Sequence, residues 1–176
     1  MKRVRLSFAD KVILEDVSFG VPPGGLLVVM GVSGCGKSTL LGILLGLLKP
    51  DAGAVMFGKE DLTKLRRSKL NAARTRMGMV FQNAALVSSS TVRENVSLPL
   101  EELSNKTPAE IASAVEEKLK LVGLEDAADK LPSELSGGMQ KRAGLARALA
   151  LDPELVLFDE PSAGLDPINS KLIHEL

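Results

Sequence analysis

Glycines, a lysine and two hydroxyl side chains are spaced so that they could hold phosphate groups. The stretch GVSGCGKST, Gly31 to Thr39, places a glycine, four residues, a second glycine, Lys37 and Ser38 in that order. Backbone N–H groups of such a loop can close around phosphate oxygens, while Lys37 supplies positive charge to the β- and γ-phosphates and the Ser38 hydroxyl can bind Mg²⁺. An apolar run precedes the loop and a helix from about Lys37 to Leu47 is predicted after it. This context favours a phosphate site over a chance glycine-rich turn.

Two further stretches could supply the oxygen ligands and the base for phosphate chemistry. In LVLFDE, four apolar residues carry Asp159 to the carboxyl end of a predicted buried strand, where ligands bind in open α/β sheets. Asp159 would hold Mg²⁺ through water, and Glu160 would polarise an attacking water; the alternative is a solvated turn. Gln82 directly follows another predicted buried strand, MGMVF, Met77 to Phe81. It could bind the metal and the attacking water, or be a solvated loop residue.

A second candidate anion site lies in LSGGMQKR, just ahead of a predicted helix. Ser136 would cap that helix, and Gly137 and Gly138 would let an anion approach its first N–H groups.

Phe8, before the predicted turn at Asp10, could stack on an adenine or be a core aromatic residue. Cys35 inside the first loop is interpreted as a small residue at a variable position rather than a reactive thiol.

The elements that must position these residues alternate between strands and helices. Two short β-type runs around Asp10 predict a hairpin, and LLVVM, Leu26 to Met30, predicts a strand buried on both faces. AVMFG predicts another short strand, and LTKLRRSKLNAAR a basic surface helix. From about residue 83 to 135 no strand pattern is visible, and a capping box with proline opens a helix at Thr107 that stops at Gly123. We therefore predict that the segment from about residue 83 to 135 is a helical lobe inserted between strands. A last helix is predicted from Pro167 to the chain end.

Composition narrows the possible functions. The 176 residues suffice for one domain, or for one domain with a small inserted lobe, and 45% are apolar, as in a globular protein with a core. Net charge is zero and Trp and Tyr are absent, which argues against a nucleic-acid partner. A single cysteine excludes a disulfide within the chain and a zinc cluster. The N-terminus is not a signal peptide, and no apolar run is long enough to span a bilayer, so a membrane role would require a partner.

Taken in order, these motifs resemble the nucleotide-binding subunit of an ABC transporter over essentially the whole chain. LSGG, placed between Gln82 and the Asp159 strand, is the distinguishing element, because small P-loop kinases and GTPases lack it. The resemblance implies an α/β P-loop NTPase with an ABC-type core: a mostly parallel sheet flanked by helices, an antiparallel β part at the N-terminus, and an inserted α-helical subdomain. It implies one domain, 1–176, with the core in 1–82 and 143–176 and the helical subdomain in about 83–142.

The resemblance also implies the site residues. Those matched to ATP binding are Phe8, Gly31, Ser33, Gly34, Cys35, Gly36, Lys37, Ser38, Thr39, Ser136, Gly137, Gly138 and Asp159. Those matched to catalysis are Glu160, Gln82 and Lys37, and those matched to Mg²⁺ are Ser38, Gln82 and Asp159. Ser162 to Asp166 match the D-loop. Phe8 stands where the family more often has tyrosine.

Partners and location follow from the same resemblance. Two copies would sandwich two ATP molecules head to tail, each copy presenting its LSGG stretch to the other's ATP, and would drive an integral-membrane permease. We therefore expect a cytoplasmic ATPase, peripheral on the inner face of the cell membrane. A finer resemblance, in FQNAALVSSSTVRENVSLPL and DEPSAGLDPI, is to the ATPases of Mce/Mla-type lipid transport systems. Open alternatives are another importer ATPase for small solutes, a soluble ABC-type ATPase of DNA repair or translation, and a small-molecule P-loop kinase.

One family feature has no match in the sequence. The family carries a switch histidine at the end of a strand a few dozen residues past the D-loop, whereas this sequence ends at Leu176, and His174 lies too early. We therefore expect a truncated chain that lacks the C-terminal strands and turns over ATP weakly or not at all.

Overall fold

The computed structural model describes residues 1–159, which fall into two compact units, Met1–Arg74 and a second unit that begins at Thr75. Predictions that concern Glu160, the D-loop, His174 and the helix from Pro167 lie outside the described residues. Each unit is considered by itself below.

The first unit contains a three-stranded antiparallel sheet in which β1 (Lys2–Phe8) lies between β2 (Lys11–Val17) and β3 (Ala52–Ala54). The predicted hairpin is confirmed: Phe8 pairs with Lys11 across a tight turn. Val4 and Leu6 alternate with polar residues along β1 and are buried, as a one-sided sheet requires. A two-stranded ribbon, β4 (Met56–Phe57) and β5 (Glu60–Asp61), follows β3.

Two helices complete the first unit. Helix α1 (Lys37–Leu44) begins where the sequence predicts and ends earlier, because Gly46 adopts a left-handed φ of 65°. Helix α2 (Arg67–Arg74) is the predicted basic surface helix. The Arg74 guanidinium donates hydrogen bonds to the carbonyl oxygens of Leu45 (2.9 Å) and Gly46 (2.7 Å), so it fastens α2 to the end of α1.

The predicted buried strand before the phosphate loop is wrong. Residues 26–30 belong to no strand, and Leu26, Val28 and Met30 are 88%, 69% and 88% exposed. An apolar run is buried in a sheet only when neighbouring strands pair with both of its edges and other layers cover both faces. Within the first unit, β1 pairs with β2 and β3, and neither pairing includes this run. The prediction rested on the apolar composition of this run, and composition does not show whether neighbouring strands are available to pair with it.

The second unit contains a parallel pair, β6 (Met77–Val80) and β7 (Leu155–Phe158), with Met77 opposite Leu155 and Val80 opposite Phe158. Both predicted strands are therefore present. They are less buried than predicted, since Leu157 is buried but Phe158 is exposed. Within residues 1–159, the parallel part of the predicted sheet consists of this pair.

The second unit also contains three helices: α3 (Val92–Leu103) and α4 (Pro108–Leu121) lie within the segment predicted to be a helical lobe, and α5 (Gly137–Leu149) is the predicted helix that follows it. Short 3₁₀ turns also occur at Leu62–Lys64, Glu125–Ala127 and Pro132–Glu134. The core of this unit lies between the three helices, where apolar side chains are buried from each: Val92, Val96 and Leu100 on α3, Val115 and Leu119 on α4, and Ala143 and Ala146 on α5.

The capping box at Thr107 and the stop at Gly123 are confirmed. Helix α3 was not predicted from the sequence, although Thr91 and Glu94 form the same kind of capping box at its start. Pro99 lies inside α3. Proline lacks a backbone N–H donor and is disfavoured inside helices, so its presence argued against a helix in this stretch.

Candidate nucleotide-binding site

The phosphate loop, Gly31 to Thr39, has the backbone that its glycines predict. Gly34 and Gly36 have φ of 77° and 100°, a region that residues with a Cβ rarely adopt. A Cβ on Gly36 would also lie 3.0 Å from the Ile13 Cγ2 atom. Ser33 and Cys35 are exposed on the same loop, and Cys35 is a free thiol. The loop therefore needs glycine at its last turn before α1.

The cation of this loop is held close to its backbone. Lys37 Nζ donates to the carbonyl oxygens of Gly31 (3.0 Å) and Val32 (3.2 Å). Gly36 caps α1 without a side-chain hydrogen bond, so no cap side chain occupies the first N–H groups of the helix. Ser38 is exposed and Thr39 half-buried in the first turn. Backbone N–H groups, an ammonium and two hydroxyls form a donor set that fits a polyphosphate.

Gln82 and Asp159 follow two strands that are paired in parallel. The ladder continues past the strand ends, because the Asp159 N–H donates to the Val80 carbonyl oxygen at 2.9 Å. Both residues therefore emerge at the carboxyl end of the β6–β7 pair, which is where ligands bind in open α/β sheets. Gln82 is exposed and Asp159 half-buried. Each residue therefore follows a strand, as the sequence predicts, and the parallel pairing places both strand ends at one edge.

The second predicted anion site is a capped helix start. Ser136 Oγ accepts a hydrogen bond from the Met139 N–H at 3.3 Å, which confirms the predicted serine cap of α5. Ser136 and Gly137 are exposed, and Gly138 is half-buried. Leu135 is buried, and Gln140 Nε2 donates to the Pro132 carbonyl oxygen at 2.9 Å. These contacts hold the start of α5 in place, while Ser136 and Gly137 remain exposed to solvent.

Phe8 lies at the end of β1 and is 50% exposed. The alternative of a core aromatic residue is therefore wrong, because a core side chain would be covered on all sides. An exposed ring remains able to stack on a base.

Magnesium prefers oxygen ligands and takes few of them from the protein, using water and phosphate oxygens for the rest. The predicted donors Ser38, Gln82 and Asp159 are a hydroxyl, an amide and a carboxylate, so their chemistry fits this metal. Residues 1–159 contain no cluster of three or more histidine, cysteine or acidic side chains, the kind of group that binds a metal without a substrate.

The loop that follows Gln82 has side-chain contacts that were not predicted from the sequence. The Arg147 guanidinium on α5 and the Asn95 amide on α3 both bind backbone groups of this loop. Burial lowers the pKa of Arg147. The partners of Arg147 lie more than sixty residues away in sequence, so no local pattern indicated them.

Comparison with known proteins identifies the family. The ABC transporter family model matches residues 14–163. The chain belongs to the ABC transporter family.

Two relatives and one solved structure illustrate the similarity. The probable ribonucleotide transport ATP-binding protein Mkl of Mycobacterium leprae is 43% identical over 176 residues, which is all of this chain and 51% of that protein. The intermembrane phospholipid transport system ATP-binding protein MlaF of Escherichia coli K12 is 44% identical over 180 residues, covering all of this chain and 67% of MlaF. The chain thus spans about half the length of the Mycobacterium leprae protein.

The dimeric structure of a post-hydrolysis state of an ATP-binding cassette, bound to ADP and Pi, superimposes with a TM-score of 0.89 at 34% identity. The superposition includes 99% of this chain and 78% of the chain of the solved structure. The predicted fold, an ABC-type P-loop NTPase with an antiparallel N-terminal part and a helical insertion, is therefore confirmed. In residues 1–159, no helix combines the length and the apolar character that crossing a membrane requires.

Proposed function

We propose that this ABC protein binds ATP with Mg²⁺ at Gly31 to Thr39 and hydrolyses it. The observation that carries the proposal is the carboxyl end of the parallel pair, where Asp159 directly follows β7 and Gln82 lies two residues after the end of β6. An amide and a carboxylate at the carboxyl edge of a parallel pair suit a metal-bound nucleotide. The donor set of the phosphate loop supports the same conclusion.

Each residue has a distinct proposed role. Lys37 neutralises the β- and γ-phosphates, and Ser38, Gln82 and Asp159 hold Mg²⁺. When bound, Mg²⁺ would neutralise charge on the phosphate oxygens. Glu160, next to Asp159 in sequence, orients the attacking water and accepts its proton.

The proposed assembly is a head-to-tail dimer with two ATP molecules at its interface. Ser136 and Gly137 are exposed at a helix start, so they are accessible to the γ-phosphate bound by another copy. Loss of that phosphate on hydrolysis removes the contact, which lets the dimer open. The proposed organisation keeps 1–82 and 143–176 as the core and about 83–142 as the helical subdomain.

The proposed partner is an integral-membrane permease, which would place the protein in the cytoplasm on the inner face of the cell membrane. Phospholipid is the proposed cargo of that assembly. Support comes from the Mce/Mla-type stretches and from a phospholipid-transport relative with 44% identity over the whole chain.

Replacing Glu160 by Gln tests the catalytic proposal. In the full-length protein, Glu160→Gln should keep ATP affinity, reduce hydrolysis roughly 100-fold or more, and accumulate an ATP-bound dimer, because the amide cannot accept the proton. Phosphate release and size-exclusion chromatography with ATP measure these effects. Glu154→Gln is the matched control, since Glu154 lies at the opposite end of β7 and pairs with Arg76. A Glu160→Gln protein that hydrolyses ATP at the normal rate would remove the proposed base.

The cargo is tested with the ATPase and its permease reconstituted in vesicles. We expect ATP-dependent movement of a fluorescent phospholipid between labelled and unlabelled vesicles, and loss of that movement in Glu160→Gln. Stimulation of hydrolysis by ribonucleotides but not by phospholipid would instead assign the cargo printed in the name of the Mycobacterium leprae relative.

A further inference from the structure

We propose that Arg147 is a positioning residue that holds the loop after Gln82 and so links Gln82 to the helix that begins at Ser136. This inference rests on the proposed role of Gln82. It concerns contacts within the second unit alone.

The near end of the loop is held by the Arg147 side chain. Its guanidinium donates to two consecutive backbone carbonyls, through Nη1 to Ala85 at 2.8 Å and through Nη2 to Ala84 at 2.9 Å. Two donors with fixed geometry suit this task, because the planar guanidinium presents separate N–H groups in a rigid fork, whereas a lysine ammonium would place both bonds on a single nitrogen at the end of a flexible chain. The guanidinium therefore fixes the direction of both carbonyl groups of the loop, and a lysine at this position should hold them less rigidly.

The backbone at this point is one that needs support. Ala84 and Ala85 have φ of 55° and 51°, in the left-handed region that alanine rarely adopts. Such residues persist only where the surroundings hold them. Gly144 on α5 provides the second support: a Cβ there would lie 3.1 Å from the Ala84 Cα, Cβ and carbonyl oxygen. The absence of a side chain on Gly144 lets the buried Ala84 pack directly on the helix.

The far end of the loop is held by α3. Asn95 is 1% exposed, and its Oδ1 accepts from the Val87 N–H at 2.7 Å. Its Nδ2 lies 3.1 Å, 3.0 Å and 2.9 Å from the carbonyl oxygens of Val87, Ser90 and Thr91. Both ends are thus fixed to helices that share one core, so the segment after Gln82 has little freedom to move independently of them.

The connection has a functional consequence. Arg147 lies eleven residues after Ser136, which corresponds to roughly 16 Å along a helix. If a nucleotide docks at Ser136 and shifts α5, the two carbonyl contacts carry that shift to the loop after Gln82. Gln82 would then adopt its productive position only when the helix start is engaged.

Hydrogen exchange tests the placement without requiring activity. In Arg147→Lys, the Ala84, Ala85 and Val87 amides, each hydrogen-bonded in the loop, should exchange about tenfold faster. Arg76→Lys is the matched control: Arg76 also donates two hydrogen bonds, to Glu154, but at the opposite end of β6, and it should leave those amides unchanged. Unchanged exchange in Arg147→Lys would overturn the inference.

A second variant covers the case in which Arg147→Lys loses the whole fold, which amides of α4 would reveal. Gly144→Ala keeps Arg147 and displaces Ala84 by the added methyl group. It should accelerate exchange at the same three amides while α4 stays protected. Protection of the loop at the normal level in Gly144→Ala, after global loss in Arg147→Lys, would assign Arg147 a purely structural role and overturn the inference.

A double-mutant cycle tests the link to Gln82. Arg147→Lys and Gln82→Ala should each lower kcat about tenfold or more with unchanged ATP affinity, and the double variant should fall no further than Gln82→Ala alone. Losses that multiply would mean that Arg147 acts independently of Gln82, against the inference. Absence of ATP hydrolysis in the full-length wild-type protein would instead contradict the proposed function, while the exchange experiment would still decide how the loop is held.

Discussion

Two glycine-rich helix starts in this chain look alike in sequence and differ in structure. At the start of α1, Gly36 is left-handed with φ of 100°, no side chain caps the helix, and Lys37 Nζ lies 3.0 Å from the Gly31 carbonyl oxygen. At the start of α5, Ser136 caps the helix by accepting from the Met139 N–H. The first turn of α5, GGMQ, contains no basic residue.

This difference explains why one protein would carry two candidate phosphate sites. The α1 start has a glycine at its cap position and brings its own ammonium on Lys37, so it can bind a polyphosphate by itself. The α5 start has already used one N–H for its cap and has no basic residue in its first turn. It is therefore suited to a phosphate that another copy already holds and neutralises. We therefore expect the N-terminus of α1 to bind ATP directly and the N-terminus of α5 to contact the γ-phosphate of ATP that another copy has bound.

The largest expected effect is on ATP binding, and it should differ between Lys37 at the start of α1 and Lys141 near the start of α5. Lys37→Ala should weaken ATP binding and lower hydrolysis by at least about 100-fold, because the γ-phosphate loses its positively charged partner. Lys141→Ala, which removes a lysine from the beginning of α5, should leave ATP affinity of the single chain unchanged. Titration with a fluorescent ATP analogue measures both. Equal losses in the two variants would mean that the starts do not differ in the way proposed.

The next effect concerns the glycines. Gly36→Ala should lower the free energy of unfolding by about 1–2 kcal/mol, because alanine disfavours a left-handed φ. Gly137→Ala should raise it by about 0.4–1 kcal/mol, because this glycine has open space around its Cβ position and the substitution restricts the unfolded chain. Urea unfolding followed by circular dichroism gives both values. Destabilisation by Gly137→Ala would show that the second start also needs glycine for its own fold.

The smallest effect distinguishes a cap from a ligand-binding group. Ser136→Ala should cost about 1 kcal/mol of stability, since the Met139 N–H loses its acceptor. Thr107→Ala, at the matching cap of α4, should cost a similar amount. Only Ser136→Ala should also weaken the ATP-dependent dimer, measured by analytical ultracentrifugation.

Ser136→Asp sharpens this test. Aspartate is a good cap, so stability should stay near normal, but its charge should repel the partner's γ-phosphate and abolish the dimer. A Ser136→Asp protein that dimerises normally with ATP would show that Ser136 only caps α5.

Much of the site was predictable because it depends on short stretches. The hairpin around Asp10, the start of α1 at Lys37, the caps at Thr107 and Ser136, and the strands that lead to Gln82 all follow from neighbouring residues. A cap or a turn is satisfied within a few residues, so its pattern can be read directly.

Other features could not be predicted, since their partners are distant in sequence. The run from Leu26 to Met30 has the composition of a buried strand but pairs with none of the strands in the first unit. Helix α3 was missed because Pro99 interrupts its pattern, although buried contacts with α4 and α5 stabilise it.

The sequence by itself determined the local chemistry of this ABC protein: which backbone turns need glycine, which helix starts are capped, and which polar residues follow apolar strands. Tertiary structure alone decided how these parts are joined. Register between β6 and β7 brings Asp159 beside the residues that follow Val80. The Arg147 guanidinium reaches across more than sixty residues to hold the turn at Ala84. Local propensities act over a few residues, whereas strand register and helix packing depend on groups that only the folded chain brings together.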